Sequence, residues 1–196
     1  INPHFLYNTL NSIKWMATIQ GATGISEMTT SLSRLLKSIS KGTSLLIDIR
    51  EELSLLENYF TIQSYRYGGT ITMDIQVDNE SLYNSEIIKF TLQPLVENAL
   101  YHGIKNKRGK GMIRIEGELD GENCILLITD NGKGMTPERL EQVRKGIRNR
   151  KARETDIYGL YNVNERIRLN FGENYGITIT STYGEGTCVT VRLPQY

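Results

Sequence analysis

The apolar residues of this chain change their period at Gly68-Gly69, and the change dictates two kinds of architecture on either side. Ahead of the glycine pair they recur every three or four residues, as on helices. Placed at ~100° per residue, Leu6, Leu10, Ile13 and Ala17 fall on one stripe, with His4, Asn8, Asn11 and Trp15 opposite. Asn2-Pro3 supplies a cap followed by proline in the first turn, or a kink in a helix that began upstream. Gly21 and Gly24 mark a turn, and Met28, Leu32, Leu35, Leu36 and Ile39 predict a second amphipathic helix over 26–39, ended by Gly42. Asp48 with Glu51 three residues on is capping-box spacing for a third helix, carrying Leu53, Leu56 and Phe60 and stopping at the glycine pair.

Beyond Gly69 strand-like alternation appears. Residues 70–77 predict a strand and 90–103 a helix. Residues 112–119 and 124–129 predict a hairpin turning through Asp120-Gly121. Helices follow over 137–148 and 159–171, then a closing hairpin, 177–182 and 187–193, around Tyr183-Gly184-Glu185-Gly186. The order implies an α+β chain. A helical region over 1–67 precedes an α/β sandwich over 70–196, with a mixed, mostly antiparallel sheet and helices on one face.

Composition excludes several functions. Lys+Arg 23 against Asp+Glu 22 leaves a formal net charge of +1, which argues against a general nucleic-acid binder. No apolar run is long enough to span a bilayer. Cys124 and Cys188 both sit in apolar strand-like runs and are expected as buried, reduced thiols in a cytosolic protein. The start at Ile1, without a signal peptide, reads as part of something longer.

Three stretches of the second region carry chemistry. Asp130-Asn131-Gly132-Lys133-Gly134-Met135 follows an apolar strand. A carboxylate there can accept a hydrogen bond from the exocyclic amino group of adenine, where guanine would present a repelled carbonyl. The glycines let backbone approach a ligand closely. Gly159-Leu160-Tyr161-Asn162 opens a predicted helix, and a helix N-terminus favours an anion. In Glu97-Asn98-Ala99-Leu100-Tyr101-His102-Gly103, Asn98 and His102 share a helix face, and an amide oxygen suits Mg²⁺. Each stretch alone also fits a plain turn or a solvated helix face.

Taken in order, and closed by Gly184-Glu185-Gly186-Thr187, they make residues 70–194 resemble the ATP-binding domain of sensor histidine kinases, a fold shared with gyrase, Hsp90 and MutL. The resemblance implies that Asn98 holds Mg²⁺ and that Asp130 binds the adenine amino group. It places Gly132, Gly134 and Met135 around the pocket, Gly159, Leu160 and Asn162 beneath the phosphates, and Thr187 in support of the adenine site. No G-x-x-x-x-G-K-S/T occurs, which excludes the P-loop route to ATP. Residues 136–158 correspond to a lid; they contain Arg144, Lys145, Arg148, Arg150, Lys151 and Arg153, of which one or two are expected to reach the triphosphate.

The amino-terminal string Asn2-Pro3-His4-Phe5-Leu6-Tyr7-Asn8-Thr9-Leu10-Asn11-Ser12 resembles the phosphoacceptor box of LytS/YesM-type sensor kinases, and Leu92-Gln93-Pro94-Leu95-Val96-Glu97-Asn98-Ala99 is typical of the same group. An imidazole is largely neutral at pH 7 and therefore nucleophilic. The resemblance implies ATP-dependent autophosphorylation of His4 and transfer to an aspartate of a response regulator receiver domain. It also implies a homodimer through the first two helices and a cytoplasmic portion of a bacterial cell-membrane protein, anchored by segments outside these residues. No nucleic-acid partner is expected.

Some positions depart from the commoner pattern. Phe5 stands where other families place an acid beside the histidine. Asn8 takes the offset linked to dephosphorylating the regulator. Pro94 replaces the water-activating glutamate of the hydrolytic relatives, leaving Glu97 as a candidate base. Tyr101 replaces a frequent lysine, so phosphate contact is expected from His102, Lys105 or the lid. The alternative reading is a nucleotide-gated binding module without kinase activity.

Overall fold

The computed structural model describes residues 2–41, 44–104, 109–149 and 155–195. Gly42, expected to end the second helix, lies outside them.

α1 (Pro3–Ile19) starts where the Asn2 side chain accepts from the His4 N–H at 2.9 Å, so the cap expected from Asn2-Pro3 forms. After a tight turn in which Gly21 takes φ 68°, α2 (Thr23–Lys41) packs back against α1. Of the expected apolar stripe only Ala17 is fully buried, at 4% exposure; Leu6 and Leu10 are half-buried and Ile13 is exposed. Trp15 and Ile19 are 68% and 81% exposed.

β1 (Leu46–Asp48) leads into α3 (Ile49–Arg66), which Asp48 caps by accepting from the Glu51 N–H at 2.6 Å. β2 (Ile71–Gln76) follows, then the short helix α4 (Glu80–Tyr83) and β3 (Glu86–Ile88). β1 and β3 pair antiparallel as a separate two-stranded sheet. Three-residue strands carry too little alternation to be read from sequence.

The main sheet is completed by β4 (Gly111–Asp120), β5 (Asn123–Asp130), β6 (Gly176–Thr182) and β7 (Gly186–Pro194), in the order β2-β4-β5-β7-β6. β2 runs parallel to β4 and the other pairs are antiparallel, giving the expected mixed sheet. Helices α5 (Leu92–Asn98), α6 (Pro137–Arg148) and α7 (Thr155–Phe171) pack against it.

Two helices differ from expectation. The 90–103 helix begins only at Leu92, because Phe90 adopts φ 60°, and its last six residues, Ala99–Ile104, wind as a π-helical turn. The last helix begins at Thr155, four residues before Gly159.

Along β5, buried and half-buried residues alternate strictly, the period of a strand with one face in the core. Ile113, Ile115, Leu126 and Ile128 meet Leu92, Leu95 and Leu100 of the α5 region and Val163 and Ile167 of α7. Ile49, Leu53 and Leu56 of α3 belong to the same buried cluster. Cys124 is buried as expected, and burial pushes its thiol up. Cys188, expected to be buried, is only half so; both cysteines are free thiols.

Candidate functional site

Where β5 ends, the register sets Asp130 opposite Thr187 of β7 on one side and Ile113 of β4 on the other. This strand end floors a cavity of about 370 Å³, walled by α5 and its π turn, the 131–136 loop, α6, α7 and β6. Its lining is largely aliphatic: Leu95, Ile128, Val143, Leu160 and Val189. Asp130 is only 6% exposed, and its Oδ1 accepts from the Gly132 N–H at 2.7 Å. A buried carboxylate in an apolar slot favours a ligand edge that donates hydrogen bonds.

The glycines here are required first by the protein's own packing. A Cβ on Gly103 would stand 2.6 Å from Asp130 Oδ1, and one on Gly132 would overlap the Gly103 backbone. Gly134 has φ 63°, and a Cβ there would strike the Thr182 carbonyl. The loop is tied down by Lys133 N–H to the Gly103 carbonyl, 3.0 Å, and by Gly184 N–H to the Lys133 carbonyl, 2.7 Å. Ser181 Oγ accepts from the Met135 N–H and lies 2.9 Å from the Thr187 hydroxyl, so the loop and the base of the cavity share one hydroxyl pair.

Asn98 and His102 both line the cavity, one helical turn apart, with Met135, Gly134, Leu160 and Thr187. Glu97 and Asn162 do not line it. Gly159 lies in the second turn of α7 rather than ahead of the helix, so the free N–H groups of the helix start precede it. A Cβ on Gly159 would come 3.7 Å from the Asn98 amide nitrogen.

Among the described residues, the Lys and Arg side chains lining the cavity are Lys133 and Arg139, neither of which the sequence pattern singled out. Arg139 sits in the first turn of α6, which Thr136 caps; a basic residue just past the Gly-x-Gly loop was the available signal. Arg144, one of the expected lid residues, instead donates through Nε and Nη2 to the Ile179 carbonyl at 3.0 and 2.8 Å. Lys145 pairs with Glu141 at 3.6 Å. Lys105, Arg150, Lys151 and Arg153 lie outside the described residues. Among the described residues no cluster of three His, Cys, Asp or Glu side chains could hold a metal ion. Mg²⁺ keeps most of its waters and bridges phosphates, so the Asn98 amide is a fitting protein donor for a cation in this cavity.

His4 is solvent-exposed in the first turn of α1, and the Asn8 side-chain amide lies 3.3 Å from its Nδ1. Placed with its nitrogen towards the ring, that amide donates to the Nδ1 lone pair, which suits the tautomer protonated on Nε2; the opposite amide rotamer would accept from Nδ1–H and leave the lone pair on Nε2.

Comparison with known proteins bears on both halves. The family model for histidine kinase-, DNA gyrase B- and HSP90-like ATPases matches residues 84–196, and the histidine kinase model matches residues 1–71. The chain belongs to the histidine kinase-, gyrase B- and HSP90-like ATPase family. Within that family it is similar to the sensor histidine kinase YesM of Bacillus subtilis, 36% identical over 99% of this chain and 32% of the relative. The sensor protein kinase HptS of Staphylococcus aureus is 30% identical over 98% of this chain and 36% of the relative. The chain thus spans about a third of the length of these curated relatives.

Solved structures show the same fold. The histidine kinase domain of a blue-light activated kinase from Erythrobacter litoralis has TM-score 0.55 at 17% identity, covering 98% of this chain and 96% of that one. Histidine kinase ThkA in complex with the response regulator protein TrrA has TM-score 0.56 at 19% identity, covering 93% of this chain and 51% of that one.

The histidine kinase-like ATPase fold of this chain also contains a buried carboxylate that the sequence reading missed. Glu52 of α3 is 2% exposed; its Oε2 accepts from the Phe90 N–H and its Oε1 from the Leu92 N–H, both at 2.8 Å. Burial raises its pKa, while these N–H groups and the charge of Arg166 oppose the shift. Arg166 donates to the Lys89 carbonyl at 2.7 Å. Together they hold the corner, including the φ 60° of Phe90, from which the Asn98 helix starts. Outside the cavity lining, Glu97 accepts from Gln93 Nε2 at 3.1 Å. Burial and the neighbouring Glu97 carboxylate push the Tyr59 phenol above its usual range.

Proposed function

We propose that this chain is the core of a two-component sensor histidine kinase, in which ATP phosphorylates His4 and the phosphoryl group then passes to an aspartate of a response regulator receiver domain. One observation carries the reading above all: a buried Asp130 carboxylate lines one largely apolar cavity together with Asn98 and His102, in a chain whose exposed histidine stands in a matching phosphoacceptor sequence. Asp130 accepts from the adenine amino group, with Gly132, Gly134, Met135 and Thr187 enclosing the base. Gly159, Leu160 and Asn162 lie on the phosphate side, where His102 and Lys105 supply contacts. Lys133 and Arg139 add two cations to that lining.

Asn98 would hold Mg²⁺, whose charge offsets that of the phosphates when it is bound. His4 Nε2 donates its lone pair to the γ-phosphorus as the bond from that phosphorus to the departing ADP oxygen breaks. Asn8 orients the ring through its contact with Nδ1, and Glu97 is the candidate acceptor for the imidazole proton. Asn8 also serves in dephosphorylating the regulator; full phosphatase activity in Asn8→Ala would remove that role.

Residues 1–67 provide dimerisation and phosphotransfer, and 70–196 bind the nucleotide. Ile13, Ile19, Ile25 and Ile39, all exposed on α1 and α2, are the surface a second copy would cover in a four-helix bundle. Among the described residues no helix is long and apolar enough to cross a membrane. The anchor of the intact sensor is assigned to segments outside this chain, and the proposed use of ATP puts these residues on the cytoplasmic side.

Incubation with γ-labelled ATP tests the reading. Label on the intact protein and none on His4→Gln is the expected result. Bound nucleotide with no label on either overturns the kinase in favour of a nucleotide-gated module, and steady phosphate release independent of His4 overturns it in favour of an ATPase.

A further inference from the structure

Three helices grip the corner from which α5 starts. Glu52 of α3 accepts from the Phe90 and Leu92 N–H groups, and Arg166 of α7 donates to the Lys89 carbonyl at 2.7 Å. The third grip belongs to the helical region: Lys89 Nζ donates to the Ser38 carbonyl of α2 at 2.6 Å. Ser38 lies in the last turn of α2. Carbonyls there lack an intrahelical N–H and the helix dipole is negative, so an ammonium is the fitting partner.

The place of that contact along α2 ties it to the phosphoacceptor. Near the turn between the first two helices, the Thr18 and Ser26 hydroxyls are 3.3 Å apart. Both helices rise equally per residue, so equal counts away from this pair bring Ser38 on α2 level with Leu6 on α1, within one turn of His4. Lys89 thus joins the His4 end of the helical pair to the corner that leads to Asn98.

We infer that Lys89 is a positioning residue for phosphoryl transfer, its ammonium pinning the His4 end of the α1–α2 pair to the start of the Asn98 helix. The inference rests on the transfer proposed above. The corner is suited to carry such a join. Phe90 at φ 60° is held only because its surroundings fix it from several sides, and α3 and α7 do so without any help from α2. Lys89 therefore reaches α2 from a fixed base. It does not line the nucleotide cavity, so its ammonium bears on where the histidine stands and not on how the nucleotide is bound. Transfer between two reactants held on separate units depends steeply on that placement.

The test uses the intact sensor, measuring initial rates of His4 labelling against ATP concentration, together with nucleotide affinity. Lys89→Met keeps an apolar stem and removes the ammonium. It is expected to lower kcat about tenfold, while nucleotide affinity and the KM for ATP stay within about twofold. Lys89→Arg keeps a cationic donor and is expected to hold kcat within about threefold of the parent.

A normally labelled parent with an unaffected Lys89→Met variant overturns the role of Lys89 alone. So does a loss of kcat matched by an equal loss of nucleotide affinity, which would mark a merely structural support of the cavity. An equal loss in Lys89→Met and Lys89→Arg also overturns it, because the cation would then not be what matters. A parent protein that binds nucleotide yet takes no label on His4 overturns the transfer reading itself.

Discussion

The two ends of this chain use apolar side chains in opposite ways. In the sheet region, Ile113, Ile115, Leu126 and Ile128 are almost wholly removed from water and meet helices on one face. Among the described residues of the α1–α2 pair, Ala17 is the one apolar residue fully buried, while Trp15, Ile19, Ile25 and Ile39 remain exposed. At roughly 25 cal/mol per Å² of buried apolar surface, the sheet region can meet the entropy of ordering from its own contacts, and the helical pair cannot do so to the same degree. A unit that keeps its apolar face open is equipped to gain stability from another surface. A unit that closes its core is equipped to hold a preformed cavity.

Substitutions should divide along the same line. Ile113→Ala, in the centre of the sheet, is expected to cost about 4 kcal/mol in denaturant unfolding. A loss under about 1 kcal/mol would show that the core is not the closed unit described. Gly134→Ala follows at about 3 kcal/mol, because its φ of 63° and the Thr182 carbonyl both oppose a Cβ; loss of nucleotide binding should accompany it.

Glu52→Ala is expected to cost about 2 kcal/mol by leaving the Phe90 and Leu92 N–H groups without their acceptor. Since burial raises the Glu52 carboxyl above 4.5, folding favours its protonated form. That contribution is complete below the unfolded value and fades as pH rises through the folded one. The deficit of Glu52→Ala should therefore be larger at about pH 4 than at about pH 7, read from paired unfolding curves. Smallest of all, Ile13→Ala on the open helical face should change monomer stability by no more than about 0.5 kcal/mol, while shifting the sedimentation behaviour of the assembled protein towards smaller species. An effect as large as that at Ile113 would erase the contrast.

The cavity's chemistry was legible where local sequence and final position coincide. Asp130 ends an apolar strand, and Asn98 and His102 fall on one helix face, so strand and helix periods alone bring each to a surface that can line a site. Glu52 was not legible. Four residues after a capping aspartate, between Glu51 and Leu53, it reads as part of a solvated first turn; only the corner at Phe90, some forty residues later, buries it. The π turn after Asn98 and the early start of α7 at Thr155 were missed for a related reason. Helical periodicity locates the middle of a helix, while its ends depend on what packs there. Cys188 lies in an apolar strand, yet is only half-buried.

Period, caps and turn glycines are local properties, and with them the sequence alone determined the order of the longer helices and strands, the α+β class, and the identity of Asp130, Asn98 and His4 as residues of interest. What only the tertiary structure decided is which groups meet across long separations: Glu52 with the start of α5, Gly103 with Asp130, and Arg144 with β6 instead of the cavity. Such pairings depend on how whole elements pack in space, and burial sets the strength of a charge or hydrogen bond only once that packing exists.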